Sequence, residues 1–105
     1  MEKKDLLKDT IKHIDIKSYD STQLIDAMRD MSFTSRDTAR ATDILMMMVG
    51  EKECTNILTI AGSTSAAGCM QVYVDMVRNK MVDVVVSTGA SIIDMDLFEA
   101  LGYKH

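Results

Sequence analysis

The feature that most constrains the fold is a pair of short apolar runs rich in β-branched residues, at positions 56–61 and 82–86. Each run is almost continuously apolar, which is typical of a parallel strand that is buried on both faces. Between the two runs lie apolar residues at helical spacing, namely Ala67, Met70, Val74 and Val77. Because the whole stretch has the roughly 30-residue length of a β-α-β unit, we predict one here.

The first half of the chain predicts helices. Apolar residues recur at helical spacing among charged residues near the start, which indicates a short amphipathic helix containing Leu6, Leu7, Ile11 and Ile14. The next predicted helix has Asp20 or Ser21 as its N-cap and an apolar face formed by Leu24, Ala27, Met28 and Met31. A third helix is expected to begin near Thr34 or Ser35 and to have Gly50 as its C′ residue. The fold class is therefore α/β, with an N-terminal helical segment (1–50) and a β-α-β unit (51–105) in one domain.

The predicted sheet is unusually small. After the second strand a closing helix is expected, with Ile93, Leu97 and Leu101 on one face. A parallel sheet normally has several strands and helices on both faces, yet only two strands are legible in this sequence. We therefore expect the sheet to be completed elsewhere, by further polypeptide or by a second chain.

Two loops follow the predicted strands, and both are rich in glycine and hydroxyl side chains. In an open parallel sheet such loops lie at the carboxyl ends of the strands, where helix N-termini present free N–H groups. Their composition suits phosphate or diphosphate oxygens, although neither the lysine-containing phosphate loop nor GxGxxG is present. The glycines that allow close approach of the backbone are Gly62, Gly68 and Gly89, and the hydroxyl donors are Ser63, Thr64, Ser65, Ser87, Thr88 and Ser91.

A plainer interpretation of these loops is also open. Ser65 and Ser91 could simply cap helices, and the glycines could simply permit tight turns. Asp94 and Asp96 follow the second loop, where a carboxylate could bind a ribose hydroxyl or a substrate amine. Acids in a first helical turn are favoured by the helix dipole whatever the function, so this spacing alone does not decide the role of Asp94.

Composition excludes several classes of function. The chain has 47% hydrophobic and 27% charged residues, which is typical of a globular protein, and its net charge of −4 argues against a nucleic-acid partner. Cys54 and Cys69 are expected to be reduced, and the isolated His13 and His105 predict no metal site. Because neither a signal-peptide core nor a membrane-spanning run is present, we expect a cytoplasmic location.

Several segments resemble the deoxyhypusine synthase family. They are CTNILTIAG at 54–62, AAG at 66–68, MVDVVVSTGA at 81–90, and FTSRD at 33–37 with the residues that follow to Leu45. The form of residues 87–90 is closer to the deoxyhypusine-synthase-like proteins of prokaryotes than to the eukaryotic enzymes. The resemblance covers only the N-terminal portion of that family's chains.

This resemblance implies an NAD-dependent aminobutyl transfer, in which NAD oxidises spermidine and the aminobutyl group passes through an imine on an enzyme lysine. The implied acceptor is a lysine of a translation initiation factor or a small amine. By resemblance Thr64 and Ser65 match the family's first nucleotide-contacting loop, and its second is matched by Ser87, Thr88, Gly89 and Ala90. Asp94 falls where the family has an acidic residue near the nicotinamide and polyamine.

No lysine of this chain stands in a context like the family's imine-forming lysine. We therefore expect the chain to be inactive alone, as part of a larger NAD-binding protein. A second hypothesis is a small non-catalytic nucleotide-binding or regulatory module, completed by homo-oligomerisation or by a separately encoded partner. A third is a structural interaction protein whose loops bind nothing.

Overall fold

The computed structural model describes residues 2–6 and 8–104, apart from the side chains at positions 94 and 95. The helices and strands are α1 (Lys3–Leu6), α2 (Thr22–Arg29), α3 (Phe33–Gly50), β1 (Ile57–Ile60), α4 (Met70–Arg78), β2 (Val84–Ser87), α5 (Gly89–Ser91) and α6 (Phe98–Ala100). Three further helical turns are the 3-10 turn Ile16–Ser18 and the wide, π-type turns Ser65–Cys69 and Ile92–Leu97.

The two strands form a parallel pair in which Ile57 lies opposite Val84 and Ile60 lies opposite Ser87. The connection between them passes through the Ser65–Cys69 turn and α4, as the spacing of apolar residues predicts. The α/β class and the parallel pairing of these two segments are therefore confirmed.

The two faces of this sheet differ in burial. Successive side chains of a strand point to opposite faces, so partners in register share a face. On one face, here called the open face, Ile57 is 56% exposed, Val84 43% and Val86 55%. The other face holds Ile60, which is only 8% exposed, and Val85, which is 40% exposed. The expected burial of both faces is therefore not found within the described residues.

The helices α2 and α3 pack against each other as a hairpin. Asp20 Oδ1 accepts a hydrogen bond from the Thr22 N–H at 2.9 Å, so it satisfies one of the free donors at the start of α2. Helix α3 begins at Phe33, whose φ is +53°, one residue before the expected start. Gly50 is the last residue of α3 and not a left-handed residue after it, so its prediction as C′ is wrong.

The predicted first helix is mostly absent. Helix α1 ends at Leu6, residues 8–15 have no regular secondary structure, and Leu7 lies outside the described residues. The Ile14 N–H donates instead to the Gly68 carbonyl at 2.9 Å. The Ile14 N–H, which a local helix would have paired within itself, is therefore bonded to a residue distant in sequence.

The molecule exposes more surface than a compact domain of its length. Its accessible surface is 8346 Å², whereas a compact monomer of this mass exposes about 5,900 Å². Its radius of gyration is 16.9 Å, against about 13 Å for a compact chain of this length. Ala39 and Ile60 are the buried apolar side chains among the described residues. Such a chain buries too little apolar surface to form a conventional core by itself.

Candidate functional site

The structure brings the two predicted loops together. Because β1 and β2 are parallel and in register, the segments after Ile60 and Ser87 leave the sheet at the same edge. The Thr88 N–H donates to the Ile60 carbonyl at 3.3 Å, and the Ser91 hydroxyl donates to the Gly62 carbonyl. The first and second loops are thus joined by direct hydrogen bonds at the carboxyl edge of the sheet.

The first loop depends on two glycines in the left-handed region. Gly62 has φ +72° and Gly68 has φ +104°, a conformation that costs other residues energy. Between them the Ala67 N–H donates to the Ser63 carbonyl at 3.0 Å, and directly after Gly68 the Cys69 N–H donates to the Thr64 carbonyl at 3.1 Å. The helix predicted from the spacing of Ala67, Met70, Val74 and Val77 therefore begins as a wide turn with a kink at Gly68 and continues as α4.

The Thr64 hydroxyl is held in place by a residue that the sequence did not single out. Tyr73, on α4, donates its hydroxyl to Thr64 Oγ1 at 2.7 Å. The Thr64 hydroxyl keeps its own proton for donation, and a phosphate oxygen is a suitable acceptor. In sequence Tyr73 looked like an ordinary position of a helix, so spacing offered no signal for this role.

The loop residues divide into buried and accessible groups. Ser65, Gly68 and Ser91 are buried, and the Ser65 Oγ atom has no hydrogen-bond partner among the described residues. Thr64, Ser87 and Ala90 are partly buried, whereas the remaining loop positions are exposed: Gly62, Ser63, Thr88 and Gly89. A ligand at this edge can reach the accessible group, while the buried group shapes the loops.

The interpretation of Ser65 and Ser91 as helix caps is wrong. The Ser91 hydroxyl bonds the Gly62 carbonyl on the other loop, and the Ser65 hydroxyl bonds no N–H group of the described chain. Their contribution is therefore to the packing of the two loops and not to helix ends.

The structure describes only part of the two candidate acidic residues, Asp94 and Asp96. The backbone of Asp94 lies in the Ile92–Leu97 turn, next to the second loop, but its side chain lies outside the described part of the structure. The Asp96 side chain is partly buried, and its Oδ1 atom has no hydrogen-bond partner among the described residues. The role predicted for Asp94 stays a prediction.

Residues 12–17, here called the strap, cross the segments that follow both strands. The Lys12 carbonyl oxygen lies against Gly68, 3.1 Å from the position that a Cβ atom would occupy there. His13 Nε2 lies 2.7 Å from Glu99 Oε1 on α6, and Lys17 Nζ lies 2.9 Å from Asp75 Oδ1 on α4. These pairs join residues far apart in the chain, so sequence spacing could not reveal them.

The ion pair at the end of the strap changes the titration of both groups. Asp75 is 5% exposed, and the hydrogen bond from the Lys17 ammonium holds the pKa of its carboxyl below the ordinary value. The same hydrogen bond raises the pKa of Lys17 above its ordinary value. The strap is therefore attached to α4 by a charged pair whose carboxylate is largely removed from water.

Neither a group of metal ligands nor a membrane-spanning helix is found among the described residues. No three histidine, cysteine, aspartate or glutamate side chains in that part of the chain are grouped so that they could hold a metal ion. None of the helices found there is long and apolar enough to cross a bilayer.

Taken together, the parallel strand pair and the two hydrogen-bonded loops at its carboxyl edge define an α/β protein with a candidate ligand site at that edge. The family model described as deoxyhypusine synthase matches residues 23–105. The chain belongs to the deoxyhypusine synthase family, as the sequence segments indicate.

The most similar relatives include the deoxyhypusine synthase-like protein of Caulobacter vibrioides, which is 61% identical over 99% of this chain and 28% of the relative. The protein of the same description from Coxiella burnetii is 57% identical over 98% of this chain and 29% of its own length. The one from Chlorobaculum tepidum is 50% identical over all of this chain and 30% of its own length. The chain thus spans less than a third of these relatives. No solved structure matches it significantly.

Proposed function

We propose that this chain supplies part of the NAD site of a deoxyhypusine-synthase-like, NAD-dependent aminobutyl transferase. Spermidine is the proposed donor, and a protein lysine or a small amine is the proposed acceptor. The observation that supports the proposal most is the joining of the two loops by the Ser91 hydroxyl and the Thr88 N–H at one sheet edge. A dinucleotide in an open parallel sheet binds at such an edge.

The loop residues have distinct proposed roles. The accessible hydroxyls of Ser63, Thr64 and Thr88, together with Ser87 and the backbone at Gly89 and Ala90, would contact the cofactor's phosphate oxygens. Gly62, Ser65 and Gly68 would set the shape of the first loop. Asp94 is the proposed carboxylate for a ribose hydroxyl or a polyamine nitrogen. The donor set fits a diphosphate because it combines neutral hydroxyls with backbone N–H groups.

NAD, when bound, supplies the hydride acceptor for oxidation of the polyamine. The lysine that would carry the aminobutyl group has no counterpart among the lysines of this chain, so we expect no transfer by this chain alone. The exposed apolar side chains of the open face support a larger assembly, since Ile57, Val84 and Val86 would otherwise stay in water. The assembly would also supply the acceptor site.

Calorimetric titration of the chain with NAD tests the proposal. We expect saturable binding that Thr88→Val weakens about tenfold, because a hydrogen bond to a charged phosphate is lost. The matched control is Thr59→Val, an exposed threonine of the open face, which should bind NAD as the unmodified chain does. Absence of saturable heat at millimolar NAD, or equal weakening by both variants, would contradict the proposal.

A second candidate is a small non-catalytic nucleotide-binding module, completed by a second copy or by a separately encoded partner. The large exposed surface of the chain favours this alternative as much as it favours the first. Measuring the native mass and the transferase activity of the NAD-bound assembly separates them. An assembly made only of this chain, which binds NAD and transfers nothing, supports the module.

A further inference from the structure

A cleft of about 170 Å³ lies between α2 and α3, away from the two loops. Three arginines line it: Arg29 is the last residue of α2, and Arg36 and Arg40 lie one turn apart on α3. Ala39, which is only 1% exposed, and Asp43 complete the lining.

Two of the three guanidinium groups are held by bonds within the chain. Arg29 pairs with Asp43 and, at 3.2 Å, with Asp26. Arg36 Nε donates to the Met31 carbonyl at 2.7 Å, which leaves its terminal nitrogens free to bind another group. These bonds orient the groups before any ligand arrives.

Arg40 differs from its neighbours. Its side chain makes neither a hydrogen bond nor an ion pair within the described part of the chain, and it is exposed. Arg36 and Arg40 stand at i and i+4 on one helix, where like charges disfavour the helix. Arg29 is balanced by two carboxylates, whereas Arg36 and Arg40 have no acidic partner among the described residues, although the chain as a whole is acidic.

We propose that this cleft binds a phosphate group. The guanidinium fork donates two parallel hydrogen bonds to an oxyanion, and phosphate carries enough charge to balance both Arg36 and Arg40. The volume of the cleft admits a group of that size. The site uses none of the loop residues, so it is independent of the proposed NAD function.

Titration of the chain with inorganic phosphate, followed by the arginine side-chain NMR signals at constant ionic strength, tests the site. We expect saturable shifts of Arg36 and Arg40, with at least tenfold weaker binding in Arg40→Gln. The control is Arg78→Gln, which removes an arginine at the end of α4 and should bind phosphate normally. An Arg40→Lys variant keeps the positive charge and loses the guanidinium fork, so it should bind phosphate more weakly than the unmodified chain does. This variant replaces Arg40→Gln in the titration if Arg40→Gln does not fold.

Parallel titrations with diphosphate and acetate identify the ligand class. Tighter binding of diphosphate than of phosphate indicates a ligand with linked phosphates, and equal binding indicates a single phosphate. Acetate should bind at least tenfold more weakly, because one carboxylate carries less charge. The proposal is overturned if sodium chloride alone produces the same shifts, if acetate matches phosphate, or if Arg40→Gln and Arg40→Lys bind phosphate as tightly as Arg78→Gln.

Discussion

Gly68 shows how one residue links two parts of the molecule. Its φ of +104° lies where residues other than glycine are strained, and the Lys12 carbonyl oxygen lies only 3.1 Å from the position of a Cβ atom. The Gly68 carbonyl also accepts the Ile14 N–H. The first loop and the strap therefore meet at a position where any side chain would be strained.

We expect Gly68→Ala to lower the free energy of unfolding by about 1 to 3 kcal/mol, since it forces alanine into a rarely populated conformation. Gly50→Ala is the control: that glycine ends α3, nothing lies within 4 Å of its would-be Cβ, and alanine is the better helix former. Urea denaturation measures both variants. Equal stability of the two variants would contradict the left-handed conformation of Gly68.

Among the elements, the strap stands out because polar contacts hold it and apolar burial contributes little. Ile14 and Ile16 are 45% and 43% exposed, while Lys17 and His13 form its side-chain attachments to α4 and α6. Segments with few buried apolar contacts open more easily than the rest of a fold. The attachment of the strap to α4 should thus weaken under conditions that remove the charge of Lys17 or Asp75.

The stability that the Lys17–Asp75 pair contributes should depend on pH at both extremes. Because the pKa of Asp75 is lowered in the folded chain, its contribution is present above the unfolded value of about 3.9 and is lost as pH falls through the lowered pKa. Because the pKa of Lys17 is raised, its contribution is present below about 10.4 and is lost as pH rises through the raised pKa.

Urea midpoints of the unmodified chain and Lys17→Met, compared from pH 7 to pH 2, test this dependence. The difference should be largest near neutral pH and should shrink below about pH 4 as Asp75 becomes protonated. Lys52→Met, which removes an exposed lysine outside the strap, should show no such trend. A difference that stays constant across this range would argue against the ion pair.

At the scale of the whole molecule, the shortage of buried apolar surface is the main property. The chain exposes about 2,400 Å² more than a compact monomer of its mass, an area comparable to that of a large protein interface. Part of this surface is the open face of the sheet. Strands with apolar side chains on both faces are stable only when something covers both.

We expect the chain to self-associate through the open face when no other polypeptide covers it. Sedimentation at tens of micromolar protein should give a mass above that of the monomer, 11.7 kDa, and the Val86→Lys substitution should lower the measured mass toward that value. Because Val86 is 55% exposed, the lysine should change monomer stability by no more than about 0.5 kcal/mol. Thr55→Lys adds the same charge at an exposed position before β1 and should leave association unchanged. A monomeric unmodified chain would count against this role of the open face.

The sequence by itself determined the elements that depend on local pattern. The β-branched runs predicted β1 and β2, and helical spacing predicted α2, α3 and α4. The segments that resemble deoxyhypusine synthases indicated the family to which the chain belongs. These predictions succeed because side-chain period and propensity act over a few neighbouring residues. The same locality explains why the sequence left a capping role open for Ser91, since its partner, the Gly62 carbonyl, lies elsewhere in the fold.

Only the tertiary structure decided how distant residues meet. The strap replaced an expected helix because the Ile14 N–H found the Gly68 carbonyl, and Tyr73 came to hold Thr64 through folding of the turn between them. The loops became one candidate site through Ser91 and Gly62, which are 29 residues apart. Such contacts follow from the path of the whole backbone, which the spacing of residue types along a sequence does not encode.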